Sequence, residues 1–387
     1  MRILFSTHHR HDPDSGASGT TLTVAGALAR RGHEISTISF DDLPRMGERK
    51  AALAYPWRVA RALGKPDKSR FDVIDSSLGD TWIWGMRGRT GPRPLLVLRS
   101  HGLEHLYYRA TLDYERRHGT RPSLKHRAYA GHWRLMEVAR SLRQADLVLT
   151  LNEEERQFAI DELGVAPDRL EFVGNPIGEE MLTAAATVNQ GDPTGIAYVG
   201  DWRPLKGVEY GCAAAVEILR RAPEATISFI GVGAAAEEIL AAFPAAQHER
   251  IRIVPTYRRE ALPELLEGSG IMLFPSLSEG FGNVLVETMA CGLTPVAARS
   301  PGAAQIVEDE VDGLLVPRYG VEEMAEAVLR LLRDAELRGR LRAAARRSAQ
   351  SYALDRIAER TLELYRAGLA RRQSEITDGI GGGRDAR

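Results

Sequence analysis

Short apolar runs bounded by glycine, proline and small polar residues recur along this chain, and longer stretches with apolar positions three and four apart separate them. Runs of the first kind fit buried strands, and stretches of the second kind fit amphipathic helices. Residues 2–7 (RILFST) read as a strand, and the loop after it places Gly16 and Gly19 at the entry of a helix from about Thr20 to Arg31. Gly32 ends that helix, and residues 34–40 form the next strand. Residues 71–75, 95–98, 145–152 and 170–174 are further strands, with a helix over 153–163 and a helical region over 104–143. Asn175-Pro176-Ile177 reads as a hinge and residues 178–194 as linker. The alternation then restarts with strands at 195–199, 226–231, 251–254, 271–274 and 295–298, and with helices at 208–220 and 283–291. Residues 321–350 carry one or two amphipathic helices, 351–369 a last helix, and the polar, glycine-rich stretch from Arg371 reads as a disordered tail. Strands alternating with helices predict an α/β protein with two doubly wound, Rossmann-like domains, 1–176 and 177–351.

Residues 270–298, GIMLFPSLSEGFGNVLVETMACGLTPVAA, concentrate the chemistry. A buried strand ends at Pro275, and Glu279 and the loop Gly280-Phe281-Gly282 follow. A helix begins near Asn283 and is capped by Gly292. Such a loop lies at the carboxyl end of a parallel strand, where open α/β sheets bind ligands. The first amides of the helix, at Gly282, Asn283 and Val284, carry the positive end of its dipole and suit a phosphate. Glu279 and Glu287 flank that position, eight residues apart. A carboxylate beside an anion is favourable when it accepts hydrogen bonds from hydroxyls of the same ligand, so the pattern points to a sugar and a ribose around a diphosphate. The plainer alternative is a glycine-rich turn with two solvated glutamates.

Composition narrows the class. A net charge of −1 gives no global attraction to nucleic acid, and the 387-residue length provides material for two cores. Cys212 and Cys291 offer neither a disulfide framework nor zinc spacing, which suits a reducing cytoplasm. The chain enters a strand at once without a signal-peptide pattern, and it has no run of about twenty apolar residues to span a membrane. His8, His9 and His11 with Asp12 and Asp14 form a tempting metal set, but no helix or hairpin fixes their spacing.

The stretch from Glu279 to Glu287 resembles the E-x7-E signature of retaining nucleotide-sugar glycosyltransferases of family 4, and residues 301–317 (PGAAQIVEDEVDGLLVP) resemble that family's next block. The resemblance implies a GT-B fold: two doubly wound Rossmann-like domains facing a cleft, with the helix at about 352–370 crossing back to the first domain. It implies an acceptor in the first domain, which would be a sugar, a lipid-linked molecule or a small molecule. The second domain would hold a nucleotide-sugar donor, with UDP-sugars favoured. No metal and no cofactor would be required. On the same ground His101, in the histidine–glycine step after the strand at 95–98, lies beside the transferred sugar. Lys206 neutralises the departing diphosphate, Glu279 holds a sugar hydroxyl, and Glu287 holds the ribose. The donor set is completed by Gly16 and Gly19 in the first glycine loop, by Arg203, and by Gly280, Phe281, Gly282, Asn283 and Val284.

Two departures stand out. Asp201 occupies the place of the family's usual arginine, so that either Arg203, two positions on, replaces it or Lys206 acts alone, and Gln305 replaces a glutamate. The basic stretch 44–70 (Arg45, Arg49, Lys50, Arg58, Arg61, Lys65, Lys68 and Arg70) interleaves Tyr55, Trp57, Val59 and Leu63. It reads as an ordinary solvated helix and loop, or as a face for anionic lipid on the inner side of the membrane. A nucleotide-sugar epimerase of the same architecture, or a non-catalytic nucleotide-sugar binder, are the competing readings.

Overall fold

The computed structural model describes residues 1–12, 15–44, 47–65, 70–87, 93–189 and 192–381. Asp14, Arg45 and Lys68, singled out above, lie outside these residues. The chain divides into two compact units. One comprises Met1–Tyr108, Pro122–Pro176 and Leu354–Arg387, and the other Arg109–Arg121 with Ile177–Ala353.

In the first unit the elements run β1 (Arg2–Ser6), α1 (Gly16–Arg30), β2 (Glu34–Ile38), α2 (Glu48–Leu63), β3 (Val73–Ser77), α3 (Trp82–Gly85) and β4 (Leu95–Arg99). The helical region then comprises α4 (Glu104–Arg117), which from Arg109 on is counted with the other unit, α5 (Leu124–Ala128), a π-helical turn at Tyr129–Trp133 and α6 (Arg134–Gln144). After it come β5 (Leu147–Thr150), α7 (Glu153–Asp161) and β6 (Leu170–Phe172). The six strands form one parallel sheet in the order β2-β1-β3-β4-β5-β6. Ile3, Leu4, Ile74, Leu96, Leu98 and Val148 are fully buried, as strands covered on both faces require.

The second unit contains α8 (Glu179–Ala185), β7 (Gly195–Val199), α9 (Val208–Arg221), β8 (Ile227–Ile230), α10 (Ala236–Leu240), β9 (Ile251–Val254), α11 (Leu262–Leu265) and β10 (Ser269–Phe274). The series ends with α12 (Asn283–Ala290), β11 (Thr294–Ala298), α13 (Pro301–Ile306), β12 (Leu314–Val316), α14 (Val321–Arg333) and α15 (Ala335–Ala349). Its sheet is also parallel and six-stranded, in the order β12-β11-β10-β7-β8-β9. Ile196, Ile227, Phe229, Ile271, Leu273 and Val296 fill its core together with Ile218, Val328 and Leu341 from the helices.

Helix α16 (Leu354–Gly381) belongs to the first unit, where it packs on α1 and β4. A buried cluster fixes it. The Tyr365 hydroxyl donates to Asp75, which also accepts from Arg99 Nη2 at 2.7 Å. The helix does not end at Arg371, where a disordered tail was expected. Arg371 donates to the carbonyl of Asp168 at 2.7 Å and Arg372 to that of Arg93, and these anchors carry it onward. The linker expectation also needs correction. Residues 179–185 are helical because Met181 and Ala185, one turn apart, are both buried.

Candidate functional site

In each sheet the strand order reverses once, and a pair of chemistry-bearing residues lies at the carboxyl ends of the two strands that flank the reversal. In the second unit β7 continues through α9 to β8 on one side, while β10 continues through α12 to β11 on the other. Such a switch point leaves a crevice above the strand ends. Lys206 follows β7 and Glu279 follows β10.

The loop after β7 ends in a short 3-10 turn, Pro204–Lys206, and Gly207 then turns left-handed (φ 70°) to enter α9. A Cβ at Gly207 would stand 2.0 Å from the carbonyl oxygen of Pro275, so only glycine lets this turn rest on the end of β10. The Leu277 amide donates to the Leu205 carbonyl at 3.0 Å and joins the two loops. These contacts bring Lys206 Nζ within 2.9 Å of both Glu279 oxygens, in a half-buried pair. Asp201 pairs with Arg203, both largely exposed. Arg203 is therefore engaged by the very residue that stands in place of the arginine it was expected to replace.

Gly282, also left-handed (φ 103°), caps α12 and brings no side chain of its own to the cap. Val284 is half-buried, whereas Phe281 is buried against the Tyr352 ring at 5.2 Å. The Gly302 amide donates to the Glu279 carbonyl at 2.9 Å and fixes the loop from beneath. Gly280 and Asn283 lie at the loop and the first helical position. Glu287 is almost fully buried one turn into α12, and Arg259 donates to its Oε1 through Nε at 2.9 Å and through Nη2. Arg259 escaped the sequence reading, because the only clue was a loop position between β9 and α11.

The first unit repeats the geometry. β1 leads through α1 to β2 on one side of the reversal, and β3 leads to β4 on the other. His8 follows β1 and Asp80 follows β3, and His8 Nδ1 lies 2.7 Å from Asp80 Oδ1. Arg134 Nη2 lies 3.2 Å from His8 Nε2 and also donates to the Leu78 carbonyl at 2.7 Å. A guanidinium has only hydrogens to give, so Nε2 accepts and Nδ1–H donates to Asp80. Burial and the neighbouring Arg134 lower the His8 pKa to about 3, and the ring is neutral. Arg134 also donates from Nε to Glu104 Oε1 at 3.0 Å. Neither Asp80 nor Arg134 was singled out from sequence. Positions 8, 80, 104 and 134 share no local pattern. Among the described residues no group of three His, Cys, Asp or Glu is placed to hold a metal.

His101 stands just past β4, as expected. Its Nε2 lies 3.3 Å from the Thr21 hydroxyl, which donates to the Ala17 carbonyl at 3.1 Å. With that hydrogen engaged, Nε2–H donates to Thr21, and Nδ1 is a buried acceptor with no protein partner. Burial, reinforced by Arg99, lowers the His101 pKa well below its usual range, so the ring is uncharged. The turn that carries it is held by Glu155, which accepts from the Leu103 amide at 2.8 Å and from the Leu151 amide at 3.1 Å. Gly16 and Gly19 depart from expectation. Ser15 caps α1 by accepting from the Ser18 and Gly19 amides, so the helix starts at Gly16 and both glycines lie in its first turn. The Gly19 amide also donates to the Ser15 carbonyl at 3.0 Å and is not available to a ligand.

Comparison with known proteins agrees with this arrangement. A family model described as "Glycosyl transferases group 1" matches residues 193–334, and one described as "Glycosyltransferase Family 4" matches residues 15–180. The chain belongs to this glycosyltransferase family. It is 30% identical over 250 residues to a D-inositol 3-phosphate glycosyltransferase of Kribbella flavida, an alignment covering 60% of this chain and 59% of that protein. It is 32% identical over 173 residues to the alpha-D-kanosaminyltransferase of Streptomyces kanamyceticus, covering 44% and 45%. The chain thus spans about three-fifths or less of these curated relatives. Among solved structures, sucrose-phosphate synthase from Thermosynechococcus elongatus superposes with a TM-score of 0.75 at 19% identity, covering 96% of this chain and all of that one (100%). Anabaena HepE in complex with UDP and glucose gives 0.66 at 18%, covering 94% and 99%. The fold is that of the GT-B glycosyltransferases.

Proposed function

We propose that this protein is a retaining, metal-independent glycosyltransferase that moves a sugar from a nucleotide-sugar, with UDP-sugars favoured, to a hydroxyl of a sugar, a lipid-linked molecule or a small-molecule acceptor. The observation that carries the reading is the Lys206–Glu279 pair beside the glycine-capped amino end of α12, at the switch point of the second sheet. An ammonium and helix amides together stabilise the negative charge that develops on a departing diphosphate, the task a divalent cation performs elsewhere. Glu279, held by Lys206 on one side, accepts from a hydroxyl of the transferred sugar, and Glu287 accepts from the ribose. His101 contacts the transferred sugar as a neutral ring. In the transfer the bond from the anomeric carbon to the diphosphate oxygen breaks, and the acceptor oxygen bonds to that carbon on the same face. The acceptor proton passes to an oxygen of the leaving diphosphate. Glu279 and Glu287 are not an acid–nucleophile pair of the glycosidase kind, because one serves the ribose and a diphosphate leaves with little acid assistance.

The test is release of free nucleotide from UDP-, GDP- and ADP-sugars in EDTA, with wild type beside Lys206→Ala and Glu287→Ala. The reading expects one donor to be turned over slowly and both variants to lose that turnover. Turnover that survives in both variants, or that needs a divalent metal, contradicts it. Nucleotide binding without release in any acceptor screen favours the non-catalytic binder.

No helix among the described residues is long and apolar enough to cross a membrane. Helix α2 exposes Lys50, Leu53, Trp57 and Arg61, spaced three or four apart on one stripe, while Tyr55, Val59 and Leu63 face the core. This basic face with an exposed tryptophan supports peripheral contact with anionic lipid at the cytoplasmic side of a membrane. Co-sedimentation with phosphatidylserine vesicles, reduced in Trp57→Ala, would bear that out, and equal recovery with neutral vesicles would oppose it.

A further inference from the structure

The Arg259–Glu287 pair changes what the donor site can demand of a nucleoside. A ribonucleoside offers two vicinal ring hydroxyls, and a free carboxylate receives them one on each oxygen. A carboxylate oxygen has room for about two hydrogen bonds. Arg259 fills both places on Oε1, through Nε at 2.9 Å and through Nη2, whereas no described residue donates to Oε2. The Glu287 side chain is 3% exposed. Pulling its counter-ion away would leave a buried, unpaired carboxylate, which costs more than a ribose hydroxyl returns. The guanidinium therefore stays when a nucleotide binds. Arg259 is placed for this by the 3-10 turn Arg259–Ala261, just beyond the loop after β9.

We propose that Arg259 is a specificity-determining residue that restricts Glu287 to one oxygen, so that the site recognises the nucleoside through a single ring hydroxyl. One of the two ribose hydroxyls is then dispensable, and the donor class extends to deoxyribonucleoside diphosphate-sugars. The inference rests on the donor-site reading above, and its test separates the two.

The experiment is calorimetric binding of UDP, GDP and ADP to the full chain. Whichever binds is then compared with its 2′-deoxy and 3′-deoxy forms, for wild type, Arg259→Ala and Arg259→Gln, with thermal melts to confirm folding. In wild type one deoxy form should bind within about threefold of the parent, and the other about tenfold or more weaker, the usual effect of losing one hydrogen bond to a charged group. In the variants Oε1 is released, and both deoxy forms should lose about tenfold. Loss of about tenfold with each deoxy form in wild type overturns the proposal, even if the variants do not fold. So does a wild-type pattern that persists unchanged in both folded variants. Failure of every parent nucleotide to bind wild type overturns the donor-site reading and the proposal together, whereas parent binding with the wrong deoxy pattern overturns only the proposal.

Discussion

Glu155 holds the turn that carries His101, and it does so as an acid whose ionisation opposes folding. It is 2% exposed, and burial pushes its pKa from 4.5 up to about 7 in spite of the Leu151 and Leu103 amides that favour its charged form. A carboxyl with a raised pKa in the folded chain contributes stability that is fully present below pH 4.5 and is lost as pH rises through 7. Between pH 5 and 8 the unfolded chain releases the proton first, so this group should withdraw about 2–3 kcal/mol of stability. Glu155→Gln removes the titration and keeps one acceptor for one of the two amides. The assay is urea denaturation of wild type and variant at pH 5, 6, 7 and 8. Buried histidines such as His8 and His101, whose pKa values are lowered, gain stability over part of the same range, and they are common to both proteins. The difference between the two proteins isolates residue 155. The variant should be the less stable protein at pH 5 and should gain about 2–3 kcal/mol on wild type by pH 8. A difference that does not change with pH would refute the assignment of a buried, neutral-poised carboxyl here.

Three further outcomes follow from the geometry. Gly207→Ala forces a side chain into a left-handed turn 2.0 Å from the Pro275 carbonyl, so it should cost roughly 2–4 kcal/mol in denaturation and weaken donor binding through the displaced Lys206. Tyr365→Phe removes a hydroxyl from the buried Asp75–Arg99 pair and should cost about 1.5–3 kcal/mol, read as a lower melting temperature of the first unit. His101→Ala should reduce kcat by about a hundredfold while leaving nucleotide affinity within about twofold, which kinetics beside calorimetry will separate.

The strand–loop–helix at 269–290 was legible because each of its signals is local: an apolar run, a proline stop, glycines at the turn and a glycine after the helix. Parallel strands were legible for the same reason, since burial on both faces makes them continuously apolar. The start of α1 was also within reach, because Ser15 is a strong cap three residues before Ser18, but the glycines drew the loop too far. The pairs that tune the site were not legible. His8, Asp80 and Arg134 meet across more than a hundred residues, and Arg259 reaches Glu287 across 28. Their proximity follows from strand order, and strand order is a property of the whole sheet. Asp201 shows the opposite failure. It was recognised as a departure from the family pattern, but its pairing with the arginine expected to compensate appeared only in three dimensions.

The most direct test of the donor site is calorimetry with nucleoside diphosphates and the matching monophosphates, on wild type and Lys206→Met. The account predicts that one diphosphate binds wild type and loses about tenfold to a hundredfold in the variant, as removal of a charged phosphate contact should cause. The corresponding monophosphate, which does not reach Lys206, should bind both proteins alike. Equal diphosphate affinity for wild type and Lys206→Met would contradict the account.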